Sequence, residues 1–341
     1  MPGLLLDTLR GQNLRSRPVW LMRQAGRYLP EYRALRAEKG GFLALVYDSQ
    51  AAAEITIQPL RRYGMDGAIL FSDILIVPYA MGQDLEFLVG EGPHLSPRLA
   101  DAALNSLHAV PERLTPIYDT VRLVRAQLPA DKTMLGFAGS PWTVATYMVA
   151  GEGSRDQHVT RAMAYGDTVA FQAIIDGIVA VTIEYLAGQI MAGAEAVQLF
   201  DSWAGSLAPA EFERWVIAPN AAITSAIKAR FPQVPVIGFP KGAGEKLPAY
   251  ARETGVDALG LDETIDPVWA AGNIPAGMAV QGNLDPLLLL AGGAEMERQT
   301  LRILEAFADR PHVFNLGHGI GQTTPIEHVG QLLTLVRGWR E

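Results

Sequence analysis

Eight short, almost wholly apolar runs are spaced along the chain, each ending in glycine or a polar side chain, with mostly helical sequence between them. They fall at 18–22 (PVWLM), 67–72 (GAILFS), 133–138 (TMLGFA), 196–200 (AVQLF), 234–239 (VPVIGF), 257–261 (DALGL), 278–282 (MAVQG) and 312–316 (HVFNL). A strand with one wet face alternates apolar and polar residues, whereas a run that stays apolar suits a parallel strand covered on both faces. Parallel neighbours need a long crossover, usually a helix, and eight strand–helix units can close on themselves. The expected fold class is therefore α/β, a (β/α)8 TIM-type barrel. No linker, low-complexity segment or charge block divides the sequence, so residues 1–341 are expected to form a single domain. The stretch 76–97 does not read as helix. Its LEFLVGEG pattern predicts a small hairpin inserted after the second strand.

Helix signals fit the gaps. Asp48-Ser49 reads as a cap for a helix running to about residue 63, with Gly64 just past its end. Ser140-Pro141 pairs an N-cap with proline at the first helical position, and Thr324-Pro325-Ile326-Glu327 reads as a capping box. Residues 154–192 are long enough for two helices or one very long one.

Composition narrows the chemistry. Hydrophobic residues make up 49% and charged ones 19%, enough to bury a large core. The absence of cysteine removes disulfides, thiolate zinc sites, iron–sulfur clusters and cysteine nucleophiles. Six histidines without an H-E-x-x-H or a tight His/Asp/Glu cluster make a metal site a poor expectation. A net charge of −8 argues against nucleic acid or an anionic membrane as partner, and requires a local cationic patch to hold any anionic ligand. There is no secretory leader pattern, and no uninterrupted apolar stretch reaches the roughly 18 residues that span a bilayer, so a cytoplasmic location is expected.

In a barrel the chemistry sits at the carboxyl ends of the strands. The polar residues found there are Arg23, Asp73, Ser140, Asp201-Ser202, Lys241, Asp262, Asn283 and His318, the expected ring of an active-site mouth. The cationic patch is explicit. Between residues 17 and 39 stand Arg17, Arg23, Arg27, Arg33, Arg36 and Lys39 against Glu31 and Glu38, and guanidinium forks suit carboxylates or phosphates. Asp73 lies between apolar residues, where it is either a working carboxylate or half of a structural pair with an arginine such as Arg23. Tyr147, two turns into the helix that opens at Ser140, offers a hydroxyl or is a core tyrosine. Ser202 lacks a nucleophile-elbow context and reads as a hydrogen-bond donor or cap beside Phe200, an apolar wall. His318 stands between two glycines in a loop with no bulk around it, which favours ligand contact over core packing. That loop misses G-x-G-x-x-G by one place, so it is not a dinucleotide site. Lys241 suits a solvated or acid-paired lysine better than a Schiff base.

Together, WLMRQAGRYLPEYRALR (20–36), AILFSDILIVP (68–78), GFAGSPWT, FDSWAG, NLGHGI and TPIE resemble the uroporphyrinogen decarboxylase family in order and spacing over essentially the whole chain. The resemblance implies a homodimeric barrel that converts uroporphyrinogen III to coproporphyrinogen III by four decarboxylations with no cofactor and no metal. It also implies roles. Arg23, Gln24 and Arg27 match residues that bind substrate carboxylates, with Arg36 a further contributor. Asp73 matches the central aspartate that meets the pyrrole N–H groups, and with Arg23 forms the expected catalytic pair. Tyr147, Ser202 and His318 match further contacts to substrate, and Phe71 and Phe200 match apolar walls. Related barrels that transfer methyl groups at zinc need thiolate ligands, which this chain cannot supply.

Overall fold

The computed structural model describes residues 3–88 and 92–339. Its main sheet is parallel, with strands β1 (Gly67–Ile69), β4 (Thr133–Gly139), β5 (Ala196–Asp201), β6 (Val236–Pro240), β7 (Ala258–Gly260), β8 (Ala279–Gln281) and β9 (His312–Val313) side by side in that order. Between the first two, β2 (Asp84–Leu88) and β3 (Gly92–Ser96) pair antiparallel as a separate ribbon, Phe87 opposite Pro93. The tip of the expected hairpin, 89–91, lies outside the described residues. Seven of the eight apolar runs are thus strands of one curled sheet, buried along their length. The curl shows in the interior, where β8 and β5 are not neighbours yet the Gln281 amide donates to Gln198 Oε1 at 3.1 Å.

The eighth run, 18–22, is not a strand. Val19 makes a single parallel bridge to Phe314; the Phe314 N–H donates to the Pro18 carbonyl at 2.9 Å, and the Asp66 N–H to the Val19 carbonyl at 2.9 Å. Beyond Val19 the backbone donors go to side chains, Leu21 N–H to Gln24 Oε1 and Met22 N–H to Asn315 Oδ1, so no ladder propagates. Trp20 still joins the interior, its indole N–H donating to Gln281 Oε1 at 3.0 Å.

The helix over Ser49–Tyr63 is capped as expected: the Asp48 carboxylate accepts from the Ala51 N–H, and Gly64 closes it in a left-handed conformation (φ 64°). Residues 154–192 hold two helices, His158–Gly166 and Thr168–Ala192. The second is long and apolar enough to cross a membrane by length and composition. In the fold, its buried Phe171, Ile174, Ile175, Ile178 and Thr182 form one face against β4 and the neighbouring helices, the packing of an apolar core helix.

Two local expectations are corrected. Ile76–Ala80 within the supposedly non-helical stretch is a short helix, begun by the Asp73 turn and ended before the ribbon. The capping box at 324–327 does not form: the helix Ile326–Gly338 starts after Pro325, and the Thr324 hydroxyl has no partner.

Candidate active site

A cleft of about 680 Å³ opens at the carboxyl ends of the strands. Arg23, Arg27, Arg36, Phe71, Asp73, Tyr147, Phe200, Ser202 and His318 all line it, so nine of the ten singled-out residues converge on one space. They come from five separate stretches of sequence, which only the curled sheet brings together.

Arg23 is held with unusual firmness. Its backbone is left-handed (φ 60°), a conformation non-glycine residues rarely adopt. The cause is Gln24. The Gln24 N–H donates to the Leu21 carbonyl at 2.9 Å, its Oε1 accepts from the Leu21 N–H at 3.0 Å, and its Nε2 donates to the Gly67 carbonyl on β1 at 2.8 Å. These bonds tie both ends of the turn to the sheet and leave Arg23 at its apex. Gln24 itself is 0% exposed and does not line the cleft; what its side chain does in this structure is brace the turn that carries Arg23.

Asp73 follows β1 and starts its own turn, Oδ1 accepting from the Leu75 N–H at 2.9 Å. Removal from water pushes its pKa up to about 6, although that hydrogen bond and the nearby Arg23 guanidinium both pull the other way. The cleft thus holds a carboxylate that is poorly hydrated yet close to cationic groups. His318 moves in the opposite sense. Burial, helped by Arg23 and Lys241, brings it down to about 4, so it is neutral at pH 7 and can offer an N–H without carrying charge. Its ring stacks 6.5 Å from Phe239. The Tyr147 hydroxyl is raised by burial and stays a donor.

The cationic side is uncommitted. Among the described residues no carboxylate ion-pairs with Arg23, Arg27 or Arg36, while Lys39 pairs with Asp48 at 3.0 Å and Glu31 with Arg62 at 2.8 Å. Arg17, the first residue of the basic segment, is buried elsewhere and donates to the carbonyls of Phe307, Ala308 and Arg310.

The polar ring read from the strand ends is only half a site. Ser140, Asp201, Lys241, Asp262 and Asn283 do not line the cleft. Ser140 donates to Asn220 Oδ1, Lys241 pairs with Glu263 at 3.4 Å, Asp262 accepts from the Gly242 N–H, and the Asn283 amide donates to the carbonyls of Asp262 and Ile265. Residues after a strand alternate between cleft and helix layer, and sequence alone does not say which side each takes.

Sequence reading also missed an aromatic wall. Tyr32, Phe71, Phe42 and Phe87 stand in succession, with ring centroids 5.8, 5.5 and 4.7 Å apart, and Phe137 meets Phe200 at 5.5 Å on the other side. The signal was present in Gly41-Phe42 and in the LEFL of β2, but nothing in the sequence placed either beside Phe71. The cleft is thus apolar on two sides, with free guanidinium groups and a single dehydrated carboxylate between.

Comparison with known proteins agrees with that arrangement. The family model for uroporphyrinogen decarboxylase (URO-D) matches residues 2–339. The chain belongs to the uroporphyrinogen decarboxylase family. A protein named uroporphyrinogen decarboxylase from Novosphingobium aromaticivorans is 78% identical over 339 residues, covering 99% of each chain, and one of the same name from Erythrobacter litoralis is 70% identical over 340 residues, covering all of both. Among solved structures, a methyltransferase from Methanosarcina mazei superposes with a TM-score of 0.79 at 19% identity, over 97% of this chain and 96% of that one. At that identity the likeness shows the shared fold and nothing of the reaction.

Proposed function

We propose that the cleft performs the family's reaction, decarboxylating the four acetate side chains of uroporphyrinogen III to give coproporphyrinogen III. The observation that carries this reading is the placement of Asp73: one carboxylate, dehydrated and near Arg23, in a cleft otherwise lined by aromatic rings and uncommitted arginines.

Losing CO2 from an acetate arm leaves an electron pair that needs a sink. A pyrrole can be its own sink. Protonation of a ring carbon gives an iminium-like cation; the bond to CO2 breaks and its electrons form an exocyclic double bond that neutralises the ring. The new methylene then takes a proton to become methyl, and the ring carbon returns the one it gained. One proton is consumed for each CO2 released. The task for the protein is to stabilise positive charge on the ring nitrogen, and a fixed carboxylate at low dielectric does this strongly. Asp73 has that role in our reading. The porphyrinogen macrocycle is not planar, and in a cupped form its four N–H groups converge on one acceptor, so each ring can be served in turn.

Arg23, Arg27 and Arg36 grip the carboxylate arms and fix the reacting one, while Ser202, Tyr147 and neutral His318 supply hydrogen bonds. Arg23 also lies beside Asp73 and helps keep it ionised. Its guanidinium is too weak an acid to be the ready proton source. Phe71 and Phe200 flank the carbon skeleton.

The finer expectations of fold, assembly and location complete the reading. The 18–22 segment, bonded to Phe314 just after β9 on one side and to Asp66 ahead of β1 on the other, closes the ring of strands, with the β2–β3 ribbon as an insertion and the whole chain as one barrel domain. The enzyme works as a cytoplasmic homodimer, without nucleic acid or membrane as partner. The deciding experiment is an anaerobic assay with uroporphyrinogen III, following CO2 and the seven- to four-carboxylate products. Failure to release CO2 removes the assignment.

A further inference from the structure

Side chains alternate along β5, so Phe200 and the following Ser202 face the cleft while Asp201 points into the layer beneath the helices. There Asp201 is 0% exposed and has no ion-pair partner among the described residues. Burying a carboxyl without a cation is expensive, and an apolar side chain would fill the space without that cost. Its surroundings show what it does instead. The Thr143 hydroxyl donates to Asp201 Oδ1 at 2.5 Å, and the Thr143 Oγ1 in turn accepts from the Trp203 N–H at 3.0 Å. Asn220 Nδ2 reaches Oδ2 at 3.5 Å. The Trp142 indole N–H donates to the Trp203 carbonyl at 3.1 Å, so the residue after Ser202 is gripped at both backbone groups. The Trp203 side chain is also near enough to the Tyr147 hydroxyl to favour its ionised form, and Tyr147 lines the cleft near Asp73 and Arg23. Asp201, Thr143 and Trp203 themselves lie outside the cleft lining.

We propose that Asp201, Thr143 and Trp203 form a positioning relay behind the active site. The carboxyl orients the threonine hydroxyl, the hydroxyl fixes the peptide that follows Ser202, and the indole holds Tyr147, so two substrate-facing hydroxyls are aimed from one buried anchor. The consequence for catalysis rests on the decarboxylase reading of the cleft; the geometry of the relay does not.

The test uses Thr143→Val, Thr143→Ser and Trp203→Phe in the full-length enzyme, each combined with Tyr147→Phe. Thr143→Val and Trp203→Phe should each lower kcat/KM for uroporphyrinogen on the order of 10-fold, since small displacements of oriented groups are costly in rate. Thr143→Ser should restore most of it. The losses should be strongly non-additive with Tyr147→Phe, as for residues acting through one another. Additive losses, or wild-type kinetics in Thr143→Val and Trp203→Phe, would overturn the relay. A second readout needs no turnover. With 13Cζ-labelled tyrosine, the resonance lost in Tyr147→Phe should shift in Thr143→Val and in Trp203→Phe, and an unmoved resonance refutes the proposal. Wild-type protein inactive on uroporphyrinogen would sink the reaction assignment and leave the relay to the resonance alone. If Thr143→Val does not fold, Trp203→Phe carries both readouts.

Discussion

Gly319 leaves the space that the stem of Arg23 occupies: a Cβ added at Gly319 would stand 2.7 Å from Arg23 Cγ, 2.9 Å from Nε, and closer still to Cδ. The glycine-rich loop therefore serves Arg23 at least as much as it serves a ligand. Gly319→Ala should displace the guanidinium, raising KM for uroporphyrinogen about 10-fold while the melting temperature changes little, because the clash lies at an open cleft. Steady-state kinetics under anaerobic conditions check this. An unchanged KM would mean that Arg23 does not hold substrate.

Asp73 sets a stability cost against function. Its pKa is raised from the ordinary carboxylate value to about 6 in the folded protein. The folded state therefore binds the proton more tightly than the unfolded chain. The stabilising contribution is complete below about pH 4 and is lost as pH rises through about 6. Asp73→Asn removes that loss. The variant should melt higher than wild type at pH 8, by a free energy of about 1–3 kcal/mol, and the two should converge near pH 4. Its turnover should fall by orders of magnitude. A variant that is active, or no more stable at pH 8, contradicts the assigned environment of Asp73.

The same ionisation should appear in kinetics. Since kcat/KM reports groups of the free enzyme, its acid limb should rise with an apparent pKa near 6, well above that of an ordinary aspartate. His318, held down to about 4, should leave no inflection between pH 6 and 7. A limb near 4 would show that another group controls activity.

Gln24, read from the sequence as a substrate contact, braces the turn beneath Arg23. Gln24→Met keeps the length of the side chain and removes its hydrogen bonds, leaving the Leu21 N–H and the Gly67 carbonyl without their partners. The variant should lose about 1–3 kcal/mol of stability in chemical denaturation and also show weakened substrate binding. If stability is unaltered, the bracing role is wrong.

Arg27 and Arg36 carry no carboxylate partner among the described residues. Replacing either with alanine should therefore leave stability within about 0.5 kcal/mol of wild type and raise KM, with lysine recovering only part of the loss because it lacks the planar fork. A large fall in melting temperature would show that these arginines are structural.

Much of this was legible before any coordinates. The runs from 67–72 onward announced themselves as strands because continuous apolar sequence fits only positions covered on both faces, and Asp48 with Gly64 fixed both ends of one helix by local chemistry. The run 18–22 misled because its composition matches a strand, while its backbone donors are satisfied by Gln24 and Asn315, which lie next in sequence and at the far end of the chain. Asp201 and Ser202 illustrate the same limit within two residues. Both are polar and both follow one strand, but a pleat sends one to the cleft and the other to a buried threonine.

The sequence by itself determined seven of the strands and most of the longer helices, that the chain must carry a concentrated basic patch, and that thiolate chemistry is excluded, because these follow from local periodicity, residue type and count. Only the tertiary structure decided that Arg17 leaves the patch while Arg23 enters the cleft, that Phe42 and Phe87 join Phe71 in a wall, and that the Gln24 side chain ties its turn to β1. Those outcomes depend on which way each side chain points after the sheet curls, and on what distant backbone it meets there.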